Sequence, residues 1–145
     1  MKAVVQRVLH GKVSVDKQPM AEIGPGLVIL LGVEKQDDFQ KSSQLAQKIA
    51  NLRIFSDPAG KMNLSILDVQ GSALVVSQFT LMADTHKGNR PSFINAAVPE
   101  QAIPLVDHFA QELARLGVPT QQGEFGAHML VEIANDGPVT ILLQV

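Results

Sequence analysis

Two short segments contain the residues best suited to chemistry. Ser77, Gln78 and Thr80 follow an apolar run and place two hydroxyls and an amide where a buried strand would end. Asn135-Asp136-Gly137-Pro138 lies near the C-terminus, where the Gly-Pro pair indicates a turn. A hydroxyl beside a base can act as a nucleophile, and backbone N–H groups can stabilise a developing oxyanion. Hydrolysis is therefore the reaction class that these residues could support.

A structural interpretation competes with the hydrolase interpretation. A Ser-His-Asp triad needs a positioned histidine and an acid, and the chain has no Gly-x-Ser-x-Gly motif. By residue type alone, Ser77 and Thr80 are ordinary hydroxyls at a strand end, and Gly137-Pro138 is an ordinary turn. Gly24-Pro25 has the same dipeptide, and we assign it only a structural role. Residue types alone leave both interpretations open.

The histidines do not form a recognisable metal site. None of the four is paired with another at the i, i+4 spacing with a carboxylate between them: His10, His86, His108, His128. We therefore expect no metal and no other cofactor. The chain also has no cysteine, which excludes a disulfide framework and thiolate chemistry and is compatible with the cytosol.

Composition predicts one globular domain over residues 1–145. Of the 145 residues, 46% are hydrophobic and 18% are charged, so the chain can bury a core without metals or disulfides. No apolar run reaches the ~18 residues that cross a bilayer, and charges near the N-terminus argue against a signal peptide. We expect a cytoplasmic location. The formal net charge of -2 indicates that any RNA contact is small and local.

The elements that must position these residues are strands and two helices. Strands are predicted at 4–8, 13–15, 27–33, 73–79, 126–133 and 139–145, with a break at Gly11 and a turn at 135–138 joining the last two. The first helix is predicted to start near Asp37 or Asp38, and the second to cover 99–116, with a kink or delay at Pro104. This order predicts an α+β fold with a mainly antiparallel sheet.

Seven segments, in this order, resemble the D-aminoacyl-tRNA deacylase family. They extend over nearly the whole chain: Gln6-Arg7-Val8, Gly32-Val33, Arg53-Ile54-Phe55, Lys61-Met62-Asn63, Ser77-Gln78-Phe79-Thr80-Leu81, Arg90-Pro91-Ser92-Phe93 and Asn135-Asp136-Gly137-Pro138. The resemblance implies the family's dimeric fold, with a barrel-like sheet core and two principal helices. It also implies a cytoplasmic homodimer that hydrolyses the ester between a D-amino acid and the 3′-terminal adenosine of tRNA, as part of translation quality control.

The resemblance implies catalytic roles for residues of the first segment. Ser77, Gln78, Phe79 and Thr80 would line the active site, with the backbone of Gln78 and Phe79 anchoring the aminoacyl group. Thr80 is a candidate nucleophile, and the alternative is a water molecule assisted by the 2′-hydroxyl of the tRNA. We favour the RNA-assisted route, because the sequence shows no general base beside Thr80.

The resemblance assigns the Gly-Pro segment to the site of a second subunit. In the family, the active sites lie at the dimer interface, and the cis Gly-Pro peptide of one subunit enters the site of the other. Gly137-Pro138 would have this role, and Arg7 would brace the partner's Gly-Pro loop. Phe125 and Met129 would help to form the pocket for the terminal adenine, although two apolar residues there are equally compatible with a core.

A Gly-Pro wall would select substrates by exclusion. Glycine has no Cβ, so the backbone at Gly137-Pro138 could press close to the α-carbon of the substrate and fill the space of an L-side chain. Such a wall rejects L-substrates whatever their side chain, but it cannot reject glycine. We therefore predict hydrolysis of glycyl-tRNA as a secondary activity.

Two interpretations from other classes compete with the deacylase. The chain could be a non-catalytic module that binds a tRNA end or a nucleotide in the same pocket, although a binder would not need both signature segments. It could also be a small interaction protein that dimerises through its apolar last strand, 139–145. An esterase assay separates both from the enzyme.

Overall fold

The computed structural model describes residues 1–145, which form two helices, a mixed sheet and a small separate hairpin. The helices are α1 (Phe39–Ala50) and α2 (Pro99–Arg115). The strands are β1 (Lys2–Val15), β2 (Gln18–Ile23), β3 (Gly26–Gly32), β4 (Phe55–Ser56), β5 (Met62–Leu64), β6 (Ser72–Ser77), β7 (Thr120–Gln122) and β8 (Met129–Gln144). The predicted α+β class is confirmed.

Strand β1 organises the sheet. Its first half pairs with β3 and its second half with β2, while β8 pairs along its other edge, and all three pairings are antiparallel. Strand β6 then adds parallel to β3, and β7 adds parallel to β6. The side chain of Gln121 on β7 bonds both the N–H and the C=O of Glu22 on β2. This link brings the two ends of the sheet together, so the predicted barrel-like and mainly antiparallel sheet is confirmed.

The predicted strand at 27–33 corresponds to β3, which is buried on both faces. Leu27, Ile29 and Leu31 pack with the helices in the larger apolar cluster. Val28 points to the opposite face, into a second cluster inside the barrel. Because side chains alternate along a strand, one apolar run contributes to both cores.

The two helices begin where their caps are predicted. The carboxylate of Asp38 accepts a hydrogen bond from the N–H of Lys41 and caps α1. Pro99 occupies the first turn of α2, and the helix continues without interruption through Pro104. The expected delay at Pro104 is therefore wrong. The ring of Pro104 is exposed and lies opposite the buried face of the helix, where the next residue, Leu105, packs into the core. No helix of this fold is both long and apolar enough to cross a membrane.

The predicted break at Gly11 is also wrong, because β1 continues through it. Gly11 pairs with Ile23 on one side and with Ile133 on the other. A Cβ at Gly11 would lie 2.5 Å from Cγ2 of Val28, because the side chain of Val28 packs directly against Gly11. The glycine is thus explained by close packing inside the barrel and not by a turn.

The last two predicted strands are one strand, and residues 135–138 do not form a hairpin. Both halves of β8 pair antiparallel with β1, with Asn135 opposite Val8 and Thr140 opposite Gln6. Residues 136–139 therefore stand opposite Arg7 alone, as a wide bulge that we call the β8 bulge. The strand also starts at Met129, later than predicted. A Gly-Pro pair marks a local change of direction, and the distant partner strand decides whether this becomes a turn or a bulge.

Candidate active site

A pocket of about 280 Å³ opens at the carboxyl ends of the parallel strands β3, β6 and β7. Leu31 and Ser77 contribute the strand ends, Val106 of α2 lies on one side, and the segment from Phe125 to Met129 closes the other. Parallel strands end at the same edge of a sheet, so the loops after them enclose a common cleft. The walls are mostly apolar and carry few polar groups, as is usual for a small-molecule pocket.

The predicted strand 73–79 ends earlier, and this change shapes the pocket wall. Strand β6 stops at Ser77, and Phe79–Met82 forms a short 3₁₀ turn. The N–H of Gln78 donates to the carbonyl of Leu31 at 2.8 Å, which extends the sheet contact by one residue. Its carbonyl accepts from the N–H of Leu81 at 3.2 Å. The N–H of Gln78 is thus already bonded, whereas the first N–H groups of a helical turn, here at Phe79, have no partner within it.

Thr80 lies outside the pocket wall. Its side chain is exposed, and its hydroxyl contacts the side-chain amide of Gln78. No histidine or carboxylate bonds to it. Among the residues that line the pocket, none is Asp, Glu, Lys or Arg. The pocket therefore supplies no carboxylate base to the hydroxyl of Thr80 or Ser77.

His128 lines the pocket, and sequence reasoning did not predict it there. It lies in the predicted adenine segment between Phe125 and Met129, so its neighbours were the available signal. Its side chain is exposed and forms no hydrogen bond with Ser77 or Thr80. It is the one titratable side chain on the wall of the pocket.

Phe125 and Met129 lie together in the pocket wall, as the adenine prediction requires. The segment is tied to the sheet where the N–H of Gly123 donates to the carbonyl of Val75 at 2.9 Å. A Cβ at Gly123 would lie 2.5 Å from Sδ of Met129, so glycine lets that side chain pack against the backbone. Both residues also touch the core, as the alternative interpretation expected.

An aromatic contact joins two of the signature segments. The rings of Phe79 and Phe93 meet edge to face with centroids 5.0 Å apart and an interplanar angle of 70°. The loop of Phe93 is closed by paired backbone bonds between Asp84 and Ser92, at 2.8 and 2.9 Å. Within it, the backbone N–H and the ring of His86 hold the pKa of Asp84 below its usual value. Phe93, which directly follows this closed loop, thus packs against a residue of the pocket wall.

Gly137, Pro138 and Arg7 form a second cluster, which does not line this pocket. Nη1 of Arg7 donates to the carbonyl of Ile54 at 2.6 Å, and its Nε lies 2.9 Å from Oδ2 of Asp136. The peptide bond between Gly137 and Pro138 is cis, and Gly137 has a φ of +116°. A Cβ on Gly137 would lie 3.1 Å from Nη2 of Arg7.

The role predicted for Arg7 against the Gly-Pro loop of a partner stays a prediction. Within one chain, Arg7 also lies against its own Gly-Pro loop. The reason is the sheet topology, because β1 and β8 are neighbours and the β8 bulge stands directly opposite Arg7.

Comparison with known proteins identifies the family. The family described as D-Tyr-tRNA(Tyr) deacylase matches residues 4–144. The chain belongs to this family. A D-aminoacyl-tRNA deacylase of Thermomicrobium roseum is 58% identical over 99% of this chain and 93% of its own length. One from Idiomarina loihiensis is 54% identical over the full length of both.

Solved structures of two other proteins have the same fold. The "c-Myc DNA Unwinding Element Binding Protein" has a TM-score of 0.95 and 42% identity, over 100% of this chain and 99% of that one. A "probable eukaryotic D-amino acid tRNA deacylase" has a TM-score of 0.84 over 99% and 98% of the two chains. At 14% identity, the second shows the fold alone. The family resemblance predicted from the seven segments is confirmed.

The deacylase chain divides its predicted site residues between two places. Ser77, Gln78, Phe79, Phe125 and Met129 meet in the pocket, and Thr80 lies beside it. The remaining three lie at the β8 bulge: Arg7, Gly137, Pro138. Within one chain, the two groups remain separate.

Proposed function

We propose that this protein is a D-aminoacyl-tRNA deacylase, which hydrolyses the ester between a D-amino acid, or glycine, and the 3′-terminal adenosine of tRNA. Full-length similarity to enzymes of this name supports the proposal. The observation that carries it is the pocket, because the family's signature segment and the predicted adenine segment line one cleft. We place the enzyme in the cytoplasm, where its substrate is made.

The pocket suits the end of an aminoacyl-tRNA. Phe125 and Met129 offer apolar surface on which a flat adenine ring can stack. The ester carbonyl would then lie near the start of the 3₁₀ turn, where the N–H of Phe79 can donate to the developing oxyanion. This donor acts without a titratable side chain, which fits a wall that has no acidic residue. The aminoacyl anchor is thus the amide of Phe79 more than that of Gln78, whose N–H is already bonded.

The attacking group is water, assisted by the 2′-hydroxyl of the tRNA. A threonine nucleophile needs a base that removes its proton, and the hydroxyl of Thr80 contacts only the amide of Gln78. The amide group has no basic lone pair to serve that purpose. The route through the RNA assigns Thr80 and Gln78 to the shape of the 3₁₀ turn that presents the oxyanion donor.

A second copy of the chain completes the site. One edge of β8 is unpaired, and its Leu130 and Leu142 are 63% and 70% exposed. A long edge strand with exposed apolar residues invites pairing or coverage by another chain. We propose that a homodimer covers this surface and brings Gly137 and Pro138 of one subunit to the pocket of the other. There they form the wall that excludes L-side chains.

The experiment that tests this function is deacylation of matched D-tyrosyl-, L-tyrosyl- and glycyl-tRNA by the purified protein, with a chelator present and the salt concentration varied. We expect rapid loss of the D- and glycyl esters and survival of the L-ester. A contact confined to the acceptor end also predicts weak salt dependence. Survival of all three esters while tRNA still binds would instead support the non-catalytic binding module.

A further inference from the structure

Arg7 links the β4–β5 hairpin to the Gly-Pro cluster. Arg7 extends from β1 and is only 11% exposed, although it carries a charge. It contacts two elements, and one of its guanidinium nitrogens donates to the carbonyl of Ile54 at 2.6 Å. That carbonyl belongs to the residue immediately before β4. Movement of this carbonyl would therefore move the arginine that holds Asp136 and abuts Gly137.

The carbonyl of Ile54 is held by the residues around it. Arg53, its neighbour, donates from Nε to the backbone carbonyl of Asn63 at 2.8 Å and from Nη2 to the side-chain oxygen of Asn63. We call these two residues the hairpin clasp. The two-point contact joins the entry of β4 to the middle of β5, and fixes the orientation of the chain just before the hairpin.

The far end of the hairpin is closed by Asp57. Its carboxylate accepts from the N–H groups of Ala59 and Lys61, at 2.9 and 3.0 Å, and from the side-chain amide of Asn63 at 3.3 Å. Asn63 therefore links the tight turn at Asp57 to the clasp. The hairpin pairs with no strand of the main sheet, so these side-chain bonds add to its own backbone pairing in holding its shape.

We propose that the hairpin clasp is a specificity-determining positioning unit, with Arg53 and Asn63 orienting Arg7 and thereby holding the Gly137-Pro138 loop in the geometry that excludes L-substrates. The inference rests on the proposed function of that loop. Neither clasp residue is needed for chemistry, since both act through the carbonyl of Ile54. A looser loop leaves space for an L-side chain, so discrimination falls before turnover does.

The test measures kcat/KM for D-tyrosyl- and L-tyrosyl-tRNA with Arg53→Ala and Asn63→Ala. We expect the ratio of L- to D-hydrolysis to rise about tenfold, within the range for residues along such a network, with a smaller change in D-hydrolysis. The matched controls are Arg115→Ala, which removes a similar two-point contact with Glu112 on α2, and Asn51→Ala, which removes a side-chain bond at the end of α1. Both should leave the ratio unchanged. An unchanged ratio in the folded clasp variants, or an equal loss for both substrates, would overturn the proposal.

A double-mutant cycle locates the route of the effect. If the clasp acts through Arg7, then Asn63→Ala should not change the ratio further in an Arg7→Ala background. Independent, additive effects of the two substitutions would show that the hairpin contacts the substrate by another route, and would contradict the positioning role.

A second readout does not depend on activity. Hydrogen exchange of residues 134–140 should become faster in Asn63→Ala and stay unchanged in Asn51→Ala. A wild-type protein that shows no preference for D-esters would refute the proposed function, while the exchange measurement would still decide whether the clasp holds the loop. Equal exchange in both variants would refute the clasp.

Discussion

The pocket beside Ser77 is lined by residues of one chain, whereas the β8 bulge presents Gly137 and Pro138 to the outside. The pocket follows from the ends of parallel strands, which would form a cleft in any fold of this topology. The bulge interrupts a long antiparallel strand and is anchored at both ends, by the contact between Asp136 and Arg7 and by the burial of Val139. A firmly held element that faces away from its own pocket is suited to act on another molecule.

Comparing the pocket with the β8 bulge separates three kinds of residue. Some hold the fold beneath the pocket, some form the substrate surface, and some control which substrates enter. Substitutions in the first class should change stability, those in the second should change KM or turnover for every ester, and those in the third should change the ratio between D- and L-esters.

The largest effect is expected at Asp37, which anchors the loop after β3. Its side chain is fully buried and lies 2.7 Å from the N-terminal ammonium of Met1, and it also accepts from the N–H of Glu34 and from Lys41. Removing one partner of a buried ion pair costs about 3–5 kcal/mol. We expect Asp37→Asn to lower the free energy of unfolding by this amount in urea titrations, without changing the D- to L-ratio of the remaining folded enzyme. Asp38→Asn is the control, because asparagine also caps helices well.

The same carboxylate predicts the pH dependence of stability. Burial alone would raise the pKa of Asp37, but the bonds from the N-terminal ammonium, the Glu34 N–H and Lys41 outweigh it and lower the pKa. Its contribution is therefore fully present above the unfolded pKa of about 3.9 and disappears as the pH falls through the lower folded value. Unfolding measured below pH 4 should show this loss in the wild type and not in Asp37→Asn. If the free energy of unfolding falls equally with pH in the wild type and in Asp37→Asn, Asp37 does not cause the acid dependence.

Gly137→Ala should affect selectivity most. The residue has a φ of +116°, and the new Cβ would lie 2.9 Å from Cγ2 of Val139 and 3.1 Å from Nη2 of Arg7. The bulge must shift, and a displacement of about 1 Å at a site can change a rate about 10²-fold. We expect the ratio of L- to D-hydrolysis to rise by about this factor. Gly88→Ala, at a φ of +120° with open space around it, is the matched control. If Gly137→Ala still discriminates against the L-ester as strongly as the wild type, Gly137 and Pro138 do not form the wall that excludes L-side chains.

Phe125→Ala tests the pocket side of the comparison. The ring is proposed to stack on the terminal adenine, a contact worth about 1–3 kcal/mol per base. Measured on D-tyrosyl- and glycyl-tRNA, KM should rise about tenfold or more for both, with no change in discrimination against the L-ester. Phe39→Ala removes a half-exposed ring on α1 that lies in neither region, and it should leave KM unchanged. A change confined to one ester would place Phe125 against the amino acid and not against the adenine.

The sequence predicted most reliably the elements whose signal is local. The helices α1 and α2 and the strand β3 follow from caps, apolar spacing and one continuous apolar run. The β8 bulge could not be predicted, because its shape depends on pairing with β1, more than 100 positions away along the chain. Strand β7 was missed for a related reason. Its three residues are polar, and they form a strand only by pairing with β6.

The candidate site divides in the same way. The membership of Phe125 and Met129 in the pocket was available only through the family resemblance, because apolar residue types do not distinguish a wall from a core. The contact of Arg7 with Asp136 of its own chain was not predicted, because it depends on the pairing of β1 with β8. The predicted contact of Arg7 with a partner's Gly-Pro loop stays a prediction.

Thr80→Val should give the smallest effect and decides how the pocket performs hydrolysis. Valine keeps the shape of threonine and removes the hydroxyl, which contacts only the side-chain amide of Gln78. With water as the attacking group, kcat for D-tyrosyl-tRNA should stay within about fivefold of the wild type, since a surface bond of this kind contributes about 1 kcal/mol or less. A nucleophilic hydroxyl would instead make its loss nearly complete with binding intact. Replacing the terminal 2′-hydroxyl of the tRNA by hydrogen provides the reciprocal test, because that change should abolish turnover if the RNA assists. Loss of turnover with Thr80→Val, together with normal turnover of the deoxy substrate, would show that Thr80 is the nucleophile and that the 2′-hydroxyl does not assist.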